Sequence, residues 1–174
     1  MDMQLMRKLG YGSGMVLPYG VFFKGNSKFL EQVSQWNNPL IEMGSGTGYN
    51  IKLMKDHGNL GDFDHLKHCR GFDINYRDEY DHDVQYADAT DCPFYHKTFT
   101  IMVCRPDHSG WFGELYEQFQ SGEKDCKRLV YVGLERNFDQ DLPYRAIHDA
   151  AGCIKDVGSE GEWMFWWEFK NSGV

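Results

Sequence analysis

Apolar residues recur along this chain at two periods, and the periods alternate. Phe29, Leu30, Val33 and Trp36 fall three and four apart, which predicts a helix over residues 27–36, capped by Ser27 and stopped by Asn37-Asn38-Pro39. The short run Leu40-Ile41 reads as a strand. Ile51 and Met54 then predict a helix closing at Gly58. A second strand is expected over 69–74, and the acidic stretch 76–83 is expected as a short exposed helix or loop. A third strand begins at Val84 and a fourth covers 99–103. Trp111, Phe112, Leu115, Tyr116 and Phe119 form one broad apolar face, so a helix is predicted over 109–121, ended by Gly122. The continuous apolar run 128–134 suits a strand buried on both faces of a parallel sheet. A helix over 141–151 is predicted, with Pro143 in its first turn and Gly152 closing it. Residues 153–157, the turn 158–161 and the aromatic run 163–169 read as a hairpin. Strands alternating with helices predict an α/β domain.

The stretch Pro39-Leu40-Ile41-Glu42-Met43-Gly44-Ser45-Gly46-Thr47-Gly48 organises this pattern. A strand, a glycine turn and a helix open a nucleotide-binding α/β unit, and glycine lets backbone approach a ligand closely. A dinucleotide fingerprint, G-x-G-x-x-G, fails because its sixth position is Tyr49; a P-loop fails because Gly48 is followed by Tyr49-Asn50 rather than Lys-Ser/Thr. Asp73 lies 25 residues after Gly48, at the end of the second strand, where an acid accepts hydrogen bonds from ribose hydroxyls in such folds.

The pattern E-x-G-x-G-x-G at Glu42 to Gly48 resembles the first motif of the class I S-adenosylmethionine-dependent methyltransferases. Ala87-Asp88-Ala89-Thr90-Asp91-Cys92-Pro93-Phe94 followed by Phe99-Thr100-Ile101-Met102-Val103 resembles the third and fourth motifs, where a strand ends in A-D-A, a loop carries x-x-L-P-F and a strand begins F-D-x-V. Cys92 replaces the usual leucine and Thr100 the usual aspartate. The resemblance covers about residues 27–170. It implies a three-layer Rossmann-like methyltransferase sandwich, with a mostly parallel seven-stranded sheet and a C-terminal antiparallel hairpin. Residues 27–174 would be the single methyltransferase-like domain and residues 1–26 an N-terminal arm packing on it. S-adenosylmethionine would lie across Glu42, Gly44, Ser45, Gly46, Gly48, Asp73, Ile74, Asp88 and Ala89. Asp88 would accept from the adenine amine, a donor that must not be buried unpaired. In the resembled family, segments before the first strand often close over the site, so Tyr11 and Tyr19 are substrate-side candidates; filling surface grooves explains them equally well.

Composition narrows the acceptor. The 174 residues carry a net charge of −8, with a pI near 5.3. This weighs against a large phosphate-backbone footprint. The Asp/Asn-Pro-Pro-aromatic motif of amino-methylating enzymes is missing, and Asp91-Cys92-Pro93 has the wrong order and place for a cytosine-methylating Pro-Cys pair. Nucleic acid is therefore an unfavoured partner. The five cysteines are scattered, never in C-x-x-C spacing, the usage expected of reduced thiols in a cytoplasmic protein. No apolar run of 18 residues suggests a membrane span.

Ligands in such sheets bind beyond the carboxyl ends of the strands. The acceptor would face Cys104-Arg105-Pro106-Asp107-His108-Ser109-Gly110-Trp111. His108 is the candidate base, Asp107 would orient it or bind a cationic acceptor, and Arg105 would bind a carboxylate or phosphate. The alternative is that His108 and Ser109 merely begin a helix while Asp107 and Arg105 pair at the surface. Trp111 would wall the acceptor pocket or join the helix core. His57, His65, His68 and Cys69 lack a matching second ligand pair, so no metal is expected. Three functions follow: methyl transfer to a small-molecule or protein acceptor, a methyltransferase-like domain that binds S-adenosylmethionine or a partner protein without turnover, and a nicotinamide oxidoreductase. The last is disfavoured by the failed fingerprint and the terminal hairpin.

Overall fold

The computed structural model describes residues 23–75, 84–107 and 109–169. The arm candidates Tyr11 and Tyr19, the acidic stretch 76–83 and His108 lie outside the described residues. In chain order the elements are α1 (Ser27–Gln35), β1 (Leu40–Met43), α2 (Tyr49–Gly61), α3 (Asp64–Lys67), β2 (Arg70–Asp73), β3 (Val84–Tyr86), β4 (Thr100–Cys104), α4 (Trp111–Gln120), β5 (Arg128–Gly133), α5 (Phe138–Asp141), β6 (Gly152–Ile154) and β7 (Trp163–Glu168). The strands form one seven-stranded sheet in the order β3-β2-β1-β4-β5-β7-β6. All pairs are parallel except those of β7, which runs antiparallel to β5 and to β6. The expected α/β sandwich with a terminal antiparallel hairpin is thus observed.

Side-chain alternation sorts the sheet into two apolar layers. Ile41, Met43, Ile101, Val103, Leu129, Tyr131, Phe165 and Trp167 face one side and pack with Phe112, Leu115, Tyr116 and Phe119 of α4. Leu40, Met102, Cys104, Val130, Val132 and Met164 face the other and pack with Phe29 and Val33 of α1 and Ile51 and Met54 of α2. Every residue of β1, β4 and β5 is buried, which is why these strands read as continuous apolar runs. Among the described residues no helix is long and apolar enough to cross a membrane.

Several local expectations are corrected. The cap of α1 is Asn26, not Ser27: its carboxamide oxygen accepts from the amides of Lys28 at 3.0 Å and Phe29 at 3.3 Å. Gly58 does not end α2, which runs on to Gly61 before Asp62 turns left-handed at φ 59°. Gly58 has a packing reason instead, because a Cβ there would lie 2.8 Å from the Leu66 Cβ of α3. The helix expected over 141–151 is absent. A 3-10 turn (Glu135–Asn137) leads into the four-residue α5, and residues 142–150 form turns. Pro143 forces the residue before it out of the helical region, and Leu142 sits at ψ 138°. Arg145 at φ 68° breaks the path again. Tertiary bonding holds the segment: the Trp167 indole N–H donates to the Ala146 carbonyl at 2.7 Å.

Thr100 proves to be part of a buried polar cluster. Its hydroxyl oxygen accepts from the Asn38 amide at 2.7 Å and from the Arg128 guanidinium at 3.0 Å. Arg128 also donates to Glu168 at 3.0 Å and lies over the Trp36 ring at 4.6 Å. Thr100 opens β4 and Cys104 ends it, roughly 13 Å apart in an extended strand. The missing family aspartate therefore concerns the closed end of the sheet, not the end where ligands bind.

Candidate functional site

The glycine loop between β1 and α2 is built by necessity from glycine. Gly44, Gly46 and Gly48 have φ values of 70°, 59° and 85°, in the left-handed region where a Cβ is strained. The loop is tied to the end of β2. The Ser45 amide donates to the Phe72 carbonyl at 3.0 Å, and the Gly46 amide donates to Oδ2 of Asp73 at 2.8 Å. Gly71 makes this approach possible, since a Cβ there would meet the Ser45 hydroxyl at 2.5 Å. The other Asp73 oxygen accepts from the Asn75 amide at 2.7 Å. Next to it Ile74 is 51% exposed, an apolar surface at the rim. Ala87 follows β3 and its amide donates to the Asp73 carbonyl at 3.4 Å, which sets Asp88 and Ala89 beside the same rim. Oδ1 of Asp88 accepts from the Thr90 amide and hydroxyl, capping a 3-10 turn (Ala89–Asp91). The Tyr95 hydroxyl donates to the Ala89 carbonyl at 2.8 Å. The cofactor candidates on β1, β2 and the turn after β3 thus converge at the carboxyl edge of the sheet.

Glu42 is the chemical anomaly of this edge. It is 1% exposed, and its Oε1 has no hydrogen-bond partner. Burial pushes its carboxyl up to about 8, with hydrogen bonding from the Cys104 thiol and from Asn50 offsetting and the Asp73 carboxylate adding. Oδ1 of the buried Asn50, in the first turn of α2, is also unpartnered. Two buried acceptors without donors, directly behind the glycine loop, suit a cationic donor group. Cys104 in turn has its thiol pushed well up, by burial first and by Glu42 second. Asn50 and Cys104 carried no motif signal; only their placement around Glu42 identifies them.

The acceptor loop is less unified. Arg105 has φ 50° and donates from one guanidinium nitrogen to Glu160 at 2.8 Å and to the buried Glu162 at 3.3 Å, both in the turn before β7. Asp107 accepts from the Ser109 amide at 3.0 Å, opening the turn that leads into α4. The two residues expected to act together are therefore held by different partners. Trp111 does reach the site: a Cβ on Gly44 would lie 3.1 Å from its indole, so the ring stands over the glycine loop. Of the histidines weighed as metal ligands, His57 stacks on Phe63 with centroids 5.4 Å apart, and Nε2 of His65 bonds the Val33 carbonyl at 2.8 Å. Among the described residues no cluster of three or more His, Cys, Asp or Glu side chains could hold a metal.

No family model and no curated protein matches the sequence. Solved structures do match the fold. A human methyltransferase 10 domain containing protein superposes with a TM-score of 0.51 and 10% identity, covering 97% of this chain and 99% of that one. The magnesium protoporphyrin IX methyltransferase of Synechocystis PCC 6803, solved with S-adenosylmethionine bound, gives 0.50 and 8%, over 97% and 84%. A protein of the NADB-Rossmann superfamily from Streptococcus agalactiae gives 0.51 and 13%, over 88% and 72%. Strand order, the single antiparallel β7 and these likenesses agree: this chain has the class I S-adenosylmethionine-dependent methyltransferase fold.

Proposed function

We propose that this protein binds S-adenosylmethionine at the carboxyl edge of β1, β2 and β3 and transfers its methyl group to a small-molecule or protein acceptor. One observation carries the reading: the unpartnered Oε1 of buried Glu42 behind a glycine loop whose Gly46 amide is bonded to Asp73. The residues fit the cofactor's groups. Glu42 and Asn50 offer acceptors to an ammonium, Asp73 keeps lone pairs for ribose hydroxyls, and Asp88 offers a carboxylate for the adenine amine. When bound, S-adenosylmethionine would supply an electrophilic methyl on a sulfonium, to which the acceptor would bond as the carbon–sulfur bond breaks and S-adenosylhomocysteine leaves as a neutral thioether.

The chain's own contribution to such a reaction is alignment. Trp111 over Gly44 walls the space next to the loop. Asp107 and His108 are the groups offered for proton removal where the acceptor's nucleophile must lose a proton. Net charge −8 favours a cationic or neutral acceptor over nucleic acid.

A second reading has its own support. Arg105 is occupied by Glu160 and Glu162, and Asp107 by Ser109, so two of the candidate acceptor-loop groups already have partners. That suits a domain that binds the cofactor or a partner protein without turnover. Calorimetry with S-adenosylmethionine against NAD tests the cofactor, and formation of S-adenosylhomocysteine across acceptor classes separates the two readings. Binding of NAD in preference to S-adenosylmethionine overturns both.

A further inference from the structure

Trp111 opens α4 directly after Gly110, whose backbone turns left-handed at φ 89°. The helix buries Phe112, Leu115, Tyr116 and Phe119, and Trp111 packs half-buried at the edge of that layer. Packing therefore fixes the indole before any ligand arrives. Its Cζ2 and Cη2 atoms lie 3.1 and 3.3 Å from where a Gly44 Cβ would be, so the ring's outer edge stands on the glycine loop.

Each of the chain's other tryptophans has a partner for its ring. The Arg128 guanidinium lies over Trp36 at 4.6 Å, and Trp36 meets Trp166 at 5.4 Å. The Lys155 ammonium lies over Trp163 at 4.4 Å, and Trp167 packs on Phe112 and Tyr116. Among the described residues, Trp111 has neither an aromatic nor a cationic partner. This fold thus holds cations on indole faces, and the indole without such a partner stands at the ligand edge.

The acceptors offered to the cofactor's ammonium, Glu42 and Asn50, lie behind the start of the loop. Asp73, offered to the ribose, is bonded to the Gly46 amide at 2.8 Å. In S-adenosylmethionine the group joining the ammonium-bearing chain to the ribose is the sulfonium, so residues 44–46 are the stretch it would cross. A sulfonium has no N–H or O–H to donate, and a carboxylate gains no hydrogen bond from it. An aromatic face attracts such a cation through its quadrupole, as it does a quaternary ammonium, and tryptophan does so best.

We infer that Trp111 reads the charge of the cofactor: its indole face holds the sulfonium of S-adenosylmethionine by a cation–π contact and discriminates against the neutral thioether of S-adenosylhomocysteine. The inference rests on the cofactor assignment proposed above and deepens it. Loss of the methyl leaves the sulfur neutral, so the contact ends with the transfer and favours exchange of spent cofactor for fresh.

The test is calorimetric titration with S-adenosylmethionine and with S-adenosylhomocysteine, no acceptor present, and the readout is the ratio of the two affinities. A wall that only packs lowers both affinities together and leaves the ratio alone. A desolvated cation–π contact contributes about five- to thirtyfold to it. The preference for S-adenosylmethionine should fall by about that factor in Trp111→Leu, and by less in Trp111→Phe. A fluorinated tryptophan at position 111 keeps the indole's shape while draining charge from its face, and should lower the ratio with the fold intact. A ratio unchanged in all these proteins overturns the inference and leaves the cofactor assignment standing. So does a ratio lowered by leucine but kept by the fluorinated ring, because shape and not charge would then be at work. Binding of neither compound by the wild type overturns the cofactor assignment, and this inference with it.

Discussion

The backbone amide of Gly46 donates to Oδ2 of Asp73 at 2.8 Å, so the glycine loop after β1 and the acid ending β2 form one hydrogen-bonded unit. A carboxylate that accepts from a loop amide fixes the loop's shape before any ligand arrives. Asp73→Ala removes that bond and the acceptor offered to the ribose. A charge-assisted hydrogen bond contributes about 1.5–3 kcal/mol, so S-adenosylmethionine affinity should fall at least tenfold, read by calorimetry. Asp73→Asn, with its carbonyl oxygen retained, should lose less. Unchanged affinity in Asp73→Ala and in Gly46→Trp would sink the cofactor assignment.

Glu42 predicts a pH signature. Its carboxyl sits near 8 in the folded protein against an ordinary value of 4.5, chiefly because burial disfavours the charge. The folded state therefore keeps a proton that the unfolded chain releases. The stabilisation is fully present below about 4.5 and is lost as pH rises towards 8, at up to about 1.4 kcal/mol per pH unit. Glu42→Gln, neutral at every pH, should cancel this slope. Denaturant midpoints of both proteins from pH 5 to 9 should lie together at the acid end, separate progressively as pH rises to about 8 and run parallel above it, with the variant the more stable. A constant difference across that range overturns the assignment.

The same carboxyl should couple ligand binding to proton release. An ammonium docked against Glu42 favours the ionised form, so S-adenosylmethionine should displace a proton at pH 7. Calorimetric enthalpies measured in phosphate and in Tris should then differ by a fraction of the buffers' ionisation enthalpy. Glu42→Gln should abolish the difference.

Gly44 and Trp111 should be energetically coupled. Gly44→Ala strains a backbone at φ 70° and presses a Cβ to 3.1 Å from the indole. Removing the ring relieves only the second cost. In a double-mutant cycle read by chemical denaturation, Gly44→Ala should cost about 0.5–1 kcal/mol less in the Trp111→Ala background. Strict additivity would mean that the ring does not rest on the loop.

Arg128 should matter for stability and not for ligand affinity. Arg128→Leu deprives Asn38 and Thr100 of a buried donor and removes the contact with the Trp36 ring. The expected loss is about 1–3 kcal/mol. The Glu168 side chain is half exposed, so Glu168→Gln should cost well under 1 kcal/mol. S-adenosylmethionine affinity should stay within about twofold in both, because this cluster lies at the opposite ends of the strands; an affinity loss matching that of Asp73→Ala would contradict the placement.

Much of this molecule is legible in local sequence because its signals are periodic and short-range. Alternation fixes which face each strand residue occupies, the apolar runs mark β4 and β5 as central, and three glycines at alternate positions demand a loop no other residue can form. The motif order even anticipates the hairpin. Where local propensity met a competing rule, the neighbourhood decided: Pro143 and Leu142 broke the helix expected over 141–151, and Asn26 displaced Ser27 as a cap. What the tertiary structure alone decided is which side chains from distant segments meet. Asn50 and Cys104 surround Glu42, Glu160 and Glu162 take Arg105, and Arg128 meets Asn38 and Thr100. Those encounters depend on strand register and burial, which set electrostatics, and no spacing along the chain encodes them.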